Sequence, residues 1–108
     1  DTETIVRAAL ARARALRPDD HPWRILDWGV GSGAILLALL AELPGATGLG
    51  LDVSDAALTA AEANAKRTGL AGRSAFAKGG WLTPVLHPCD IIVSNPPYVA
   101  AGDPALAA

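Results

Sequence analysis

Three glycines at alternate positions, Gly29, Gly31 and Gly33, are bracketed by two acids, Asp27 before them and Asp52 after them. Glycines at such spacing allow a tight turn and let a ligand approach the backbone closely. A turn of this kind that opens a helix also presents free N–H groups to an anion. An acid about 20 residues further on, at the end of the next strand, can accept both hydroxyls of a ribose. Together these residues read as a nucleoside-binding site. The spacing is G-x-G-x-G, whereas a dinucleotide fingerprint is G-x-G-x-x-G. A carboxylate directly before the turn would repel a pyrophosphate and attract an ammonium or sulfonium group. Asp27 could equally tie the turn through backbone N–H groups, or do both. The balance favours S-adenosylmethionine over NAD.

The second set is Asn95-Pro96-Pro97-Tyr98. A planar amide or aryl amine is a poor nucleophile because its nitrogen lone pair is delocalised. Its NH₂ group carries two donors, which the side-chain oxygen of Asn95 and the backbone carbonyl of Pro96 can accept. Two prolines stiffen the backbone and preorganise those acceptors. As the nitrogen attacks and gains positive character, the acceptors stabilise the transition state. Tyr98 offers an aromatic face to a flat group. Such a site suits methyl transfer from a sulfonium sulfur to nitrogen, with no metal and no activated side-chain nucleophile. A plain proline-rich strand exit is the structural alternative.

The elements that must position these residues alternate. Thr2 can cap a first helix over about Glu3 to Leu16, which the proline-bearing run Arg17 to Pro22 ends. Arg24 to Trp28 reads as a buried strand, followed by the glycine turn and an almost wholly apolar helix over Ala34 to Leu43. A second strand covers Ala46 to Leu51. Ser54 caps a third helix that Gly69 stops. Strands over Arg73 to Ala77 and Asp90 to Ser94 follow. This order predicts an α/β fold, a parallel sheet with helices on both faces. Ligands of such sheets lie outside the carboxyl ends of the strands where strand order reverses. That edge would gather the glycine turn, Asp52 and the Asn-Pro-Pro-Tyr run.

The sequence resembles the class I methyltransferases, and more closely the HemK/PrmC family of peptide chain release factor glutamine methyltransferases. The resemblance rests on Thr2-Glu3, on Ile25 to Ile35, on Leu51 to Ser54 and on Ile91 to Tyr98. It implies a Rossmann-like core of which about the first four strands are present. It implies S-adenosylmethionine as cofactor, S-adenosylhomocysteine as product and a release factor as the protein substrate. Asp27, Gly29, Gly31 and Gly33 would surround the methionine part of the cofactor, Asp52 the ribose, and Val53 the adenine. Trp81 would lie beside the adenine, or simply pack. Asn95 and Pro96 would accept from the glutamine amide, Asn95 also bordering the cofactor, and Pro97 and Tyr98 would complete the substrate contact. Val30 replaces a usual threonine, Trp28 a common leucine, and Gly80 an aspartate that contacts the adenine amine.

Bulk properties limit the alternatives. The chain has 108 residues, 51% hydrophobic and 19% charged, with formal net charge −2. That length suits one domain, spanning 1–108, and that composition excludes wholesale disorder. The charge provides no basic footprint for nucleic acid. A nucleic-acid amino-methyltransferase, which shares the Asn-Pro-Pro-Tyr motif, and a cofactor-binding fragment without activity are the other readings. The single cysteine, Cys89, excludes an internal disulfide and is expected to be a buried structural thiol in a reducing compartment. The longest apolar run is about half of a membrane span, and no signal peptide is visible, so a cytoplasmic protein is expected. His21 and His87 have no partner at metal-ligand spacing. The first residue is Asp1 and methionine is absent, as expected for a piece of a longer protein lacking a preceding helical domain and the later strands.

Overall fold

The computed structural model describes residues 2–79 and 89–94. Within them the chain forms α1 (Thr2–Leu16), β1 (Arg24–Trp28), α2 (Ala34–Glu42), β2 (Thr47–Asp52), α3 (Asp55–Arg67), a 3₁₀ turn (Ala71–Arg73), β3 (Ser74–Lys78) and β4 (Ile91–Val93). The four strands make one sheet in the order β3-β2-β1-β4. Every pairing is parallel. The reversal of strand order falls between β1 and β4, as expected for a Rossmann-like sheet.

The expected elements are all present, with ends shifted by one or two residues. Thr2 lies inside α1 rather than ahead of it. Ser54 is the N-cap of α3, its hydroxyl accepting from the Ala57 N–H at 3.2 Å. Asp55 in the first turn and Lys66 and Arg67 in the last turn complement the helix dipole. Gly69 ends the segment at φ 77°. The 3₁₀ turn was not anticipated. It starts β3 at Ser74, one residue later than expected.

The large apolar side chains of α2 are all buried, and its remaining side carries Ala34, Ala38 and Ala41. Ile35, Leu36, Leu37, Leu39 and Leu40 are each buried. They form one cluster with Leu10 and Ala13 of α1, Ile25 and Val93 of the sheet, and Ala61 and Ala65 of α3. A side chain at Gly48 would collide with Leu36, so glycine in β2 is what lets α2 settle on the sheet. Leu26 and Leu51 are buried too, yet stand outside that cluster. They occupy the alternate positions of their strands, in register with exposed Ile92 of β4 and with Trp28.

Polar contacts fix the end of α2 and the start of β1. Arg73 reaches across from the 3₁₀ turn and donates to the carbonyls of Leu40 at 2.7 Å, Ala46 at 2.9 Å and Leu43 at 3.1 Å. These include otherwise orphaned carbonyls of the helix end, and the positive charge suits the negative pole of α2. At the start of β1, Arg24 binds Asp90 through its backbone N–H at 2.9 Å and its guanidinium at 3.1 and 3.3 Å. That pair secures the register of the short edge strand. The Arg24 guanidinium holds the Asp90 carboxyl below its ordinary value. Cys89, just before it, is half-buried rather than fully buried. Its neighbours in a shallow cleft include Arg24 and Thr47, so the strand edge leaves it partly open.

Candidate cofactor site at the strand ends

The glycine turn links β1 to α2 and is held from three sides. Gly29 and Val30 both donate to the Leu51 carbonyl, at 2.8 and 2.9 Å. Asn64 of α3 donates to the Ser32 carbonyl at 2.9 Å. Asp52 accepts the Gly31 N–H on one oxygen at 3.0 Å and the Ser54 N–H on the other at 2.9 Å. Gly29, Gly31 and Gly33 all have positive φ. Gly33, at φ 86°, also brings Ala61 of α3 to within 3.4 Å of where its Cβ would stand, so two demands meet there. A cavity of about 150 Å³ lies over the turn, lined by Gly29, Val30, Gly31, Ala34, Ile35 and by Thr2 of α1. Thr2, expected as a helix cap and part of the family resemblance, is placed by the fold in the cavity wall.

Asp27 sits at the end of β1 and is 1% exposed. It receives a hydrogen bond from the backbone N–H of Leu36, in the first turn of α2. Gly33, the N-cap residue of α2, supplies no side-chain cap. The Asp27 carboxylate therefore occupies the positive pole of that helix. Its Oδ1 is buried and has no hydrogen-bond partner among the described residues. Burial, reinforced by the Asp52 charge and offset in part by the Leu36 N–H, pushes its pKa up to about 6. This changes the expectation that the helix start offers its N–H groups to an anion. A carboxylate of the chain is already there, and the Gly31 N–H is committed to Asp52. A pyrophosphate would find fewer donors and a negative charge.

Asp52 does not have free oxygens either, but a carboxylate offers about four lone-pair sites. Two are used by backbone amides. Beside it, Val53 is 70% exposed, an apolar side chain at the mouth of the strand end. Across the sheet, Ser94 donates from its hydroxyl to the Trp28 carbonyl at 3.0 Å, tying the exit of β4 to the exit of β1. The structure thus brings Asp27, Gly29, Gly31, Gly33, Asp52 and Val53 to one edge. Asn95, Pro96, Pro97, Tyr98, Gly80, Trp81 and His87 lie outside the described residues. His21 packs its ring edge on Trp23, centroids 4.5 Å apart.

Two clefts, each about 660 Å³, are larger than the cavity over the turn. One runs between α2 and α3 past Ala38, Ala41 and Arg67. The other runs between α1 and β4 past Leu16, Trp23 and Ile92. Both are mainly apolar helix-side grooves, the first reaching the glycine turn at Ser32 and Ala34 and the second reaching the exit of β4 at Ser94.

No helix among the described residues is long and apolar enough to cross a membrane. Among proteins of known sequence, the chain is 50% identical over 103 residues to a release factor glutamine methyltransferase of Rhodospirillum rubrum, covering 95% of this chain and 30% of that protein. Among solved structures, it is 30% identical to TrmN from Thermus thermophilus, with TM-score 0.67, covering 83% of this chain and 27% of that one. It is 32% identical to an S-adenosylmethionine-dependent methyltransferase from Geobacter sulfurreducens, solved with S-adenosyl-L-homocysteine, with TM-score 0.54, covering 68% of this chain and 28% of that one. The match therefore spans less than a third of the length of each of these relatives. The pattern of the methyltransferase small domain matches residues 9–108. With its parallel sheet, glycine turn and paired strand-end acids, the chain belongs to the methyltransferase small domain family.

Proposed function

We propose that this chain is the S-adenosylmethionine-binding catalytic core of an enzyme that methylates the side-chain amide nitrogen of a glutamine in a peptide chain release factor. The observation that carries the reading is the 50% identity to a release factor glutamine methyltransferase over 95% of the chain. The strand-end geometry supports it. A buried carboxylate with a bare oxygen suits a ligand that brings a positive charge, and it does not suit a phosphate. The spare lone pairs of Asp52 suit ribose hydroxyls, and exposed Val53 suits the flat face of an adenine. The cofactor supplies an electrophilic methyl group on a sulfonium sulfur. Gly29, Gly31 and Gly33 keep the backbone low enough for it to lie over the turn.

The acceptor amide is assigned to Asn95 to Tyr98. The run begins one residue beyond Ser94, whose bond to Trp28 delivers the chain to the same edge as the glycine turn. The Asn95 side-chain oxygen and the Pro96 carbonyl take the two amide hydrogens, and Tyr98 packs on the amide plane. Those acceptors aim the nitrogen and stabilise its growing charge. Pro97 keeps the segment stiff. Trp81 borders the adenine. The setting is cytoplasmic, with residues 1–108 forming one core.

The test is transfer of labelled methyl from S-adenosylmethionine to a release factor bearing its glutamine, beside the same protein with that glutamine replaced. Incorporation only on the former is expected. Equal incorporation on both, or incorporation into nucleic acid instead, would contradict the assignment.

A further inference from the structure

Asp27 presents an unusual combination: 1% exposure, a bare Oδ1 and, among the described residues, no ion pair. None of the described elements packed against β1 supplies a cation to it. β2 carries one charge, Asp52, which is of the same sign. β4 carries none, and Asp90 just before it is engaged by Arg24 at the opposite end of β1. α2 carries only Glu42, at its far end, paired with Arg14. At the cavity side, Glu3 and Arg7 of α1 pair with each other in solvent, and Asp55 of α3 pairs with Lys78. A buried ionised carboxylate without a compensating cation is costly, and the usual escape is to hold a proton. The escape is needed only while the site is empty, because the carboxylate lies against the same first turn of α2 whose Ala34 and Ile35 line the cavity.

We propose that the glycine-turn site takes its cation-bearing ligand in exchange for a proton held on Asp27. In the empty site the bare oxygen carries the proton. When the ligand's ammonium or sulfonium group arrives, the O–H bond breaks, the electron pair stays on the carboxylate and the proton leaves to solvent. The charge inside the site is the same before and after the exchange. This rests on the cofactor reading above and adds to it a linkage between affinity and pH. It also explains why the chain tolerates a poorly solvated acid here: burial keeps the carboxylate ready for a cation without a resident Lys or Arg competing for it.

Calorimetric titration of S-adenosylmethionine into the chain near pH 6, in two buffers of different ionisation enthalpy, counts the protons. With half of Asp27 protonated at that pH, about half a proton should leave per ligand bound, and affinity should be about tenfold weaker near pH 5 than at neutrality. Asp27→Asn, titrated at the same pH so that the ligand's own ionisation cancels, should release none of it. Binding with no proton release, or with equal release by the variant, overturns the exchange and leaves the cofactor reading intact. Failure to bind at any pH overturns both. Should Asp27→Asn not fold, carbon NMR of the aspartate carboxyls in the wild-type chain decides. The Asp27 midpoint should fall by a unit or more when the ligand is added, and an unmoved midpoint contradicts the exchange.

Discussion

Asp27 and Asp52 leave the same edge of the sheet on neighbouring strands. Asp52 accepts two backbone N–H groups, one on each oxygen, and fastens the glycine turn to the start of α3. Asp27 is almost wholly buried, has the first turn of α2 on one side, and keeps one oxygen bare. One carboxylate is spent mostly on the chain and keeps spare lone pairs for neutral hydroxyls. The other is held in reserve and calls for positive charge. The difference separates two tasks that look alike in sequence: shaping the site and matching the charge of what enters it. Substituting the two acids should therefore change stability in opposite directions while weakening ligand binding in both cases.

The largest expected effect is on the pH dependence of stability. The Asp27 carboxyl ionises near 3.8 in the unfolded chain and at about 6 in the fold. Its contribution is complete below the unfolded value, is lost as pH rises through about 6, and is absent above it. A shift of roughly two units corresponds to about 3 kcal/mol. Urea unfolding between those pH values should show stability falling as pH rises, and Asp27→Asn should flatten that slope. A slope unchanged in the variant would remove Asp27 from the account. Next comes Asp52→Ala, expected to cost about 2 kcal/mol through two lost hydrogen bonds, and to weaken cofactor binding at every pH. Unchanged cofactor affinity would argue against its ribose role.

Asp27→Asn at neutral pH should go the other way, stabilising the empty chain by about 1 kcal/mol. It removes a buried charge but leaves an amide donor to satisfy. It should at the same time lose affinity for S-adenosylmethionine, and a gain in both would break the contrast. The smallest effect is Ser54→Ala. It removes the cap of α3 one residue from Val53 and should lower the unfolding midpoint through a loss of about 1 kcal/mol. Cofactor affinity in excess of that loss would show the start of α3 to be part of the site.

The glycine turn, the strand-end acids and the strand–helix alternation were legible because each is local in sequence. Apolar runs bounded by Gly and Pro mark α2 and β1 without reference to the rest of the chain. The contacts that join distant segments were not legible. Nothing about Arg73 announces that it closes the end of α2, and nothing about Asn64 announces its bond to Ser32. Asp27 was legible as an acid at the turn, but its burial and its bare oxygen depend on how α2 packs. The expectation of free N–H donors is narrowed for the same reason, since Leu36 and Gly31 are engaged by the two acids. The acid that fills the helix start comes from the preceding strand, and only the packed sheet shows that it points there. Cys89 is half-buried where full burial is expected, because an edge strand of three residues covers less than its apolar sequence promises.

The most direct test of the central claim, that this strand edge is built for a positively charged nucleoside ligand, is a calorimetric comparison of S-adenosylmethionine with NAD on the same chain at neutral pH. The account predicts saturable binding of S-adenosylmethionine, weakened by Asp52→Ala and by Asp27→Asn, and no comparable binding of NAD. Tighter binding of NAD, or S-adenosylmethionine binding indifferent to both acids, would contradict it.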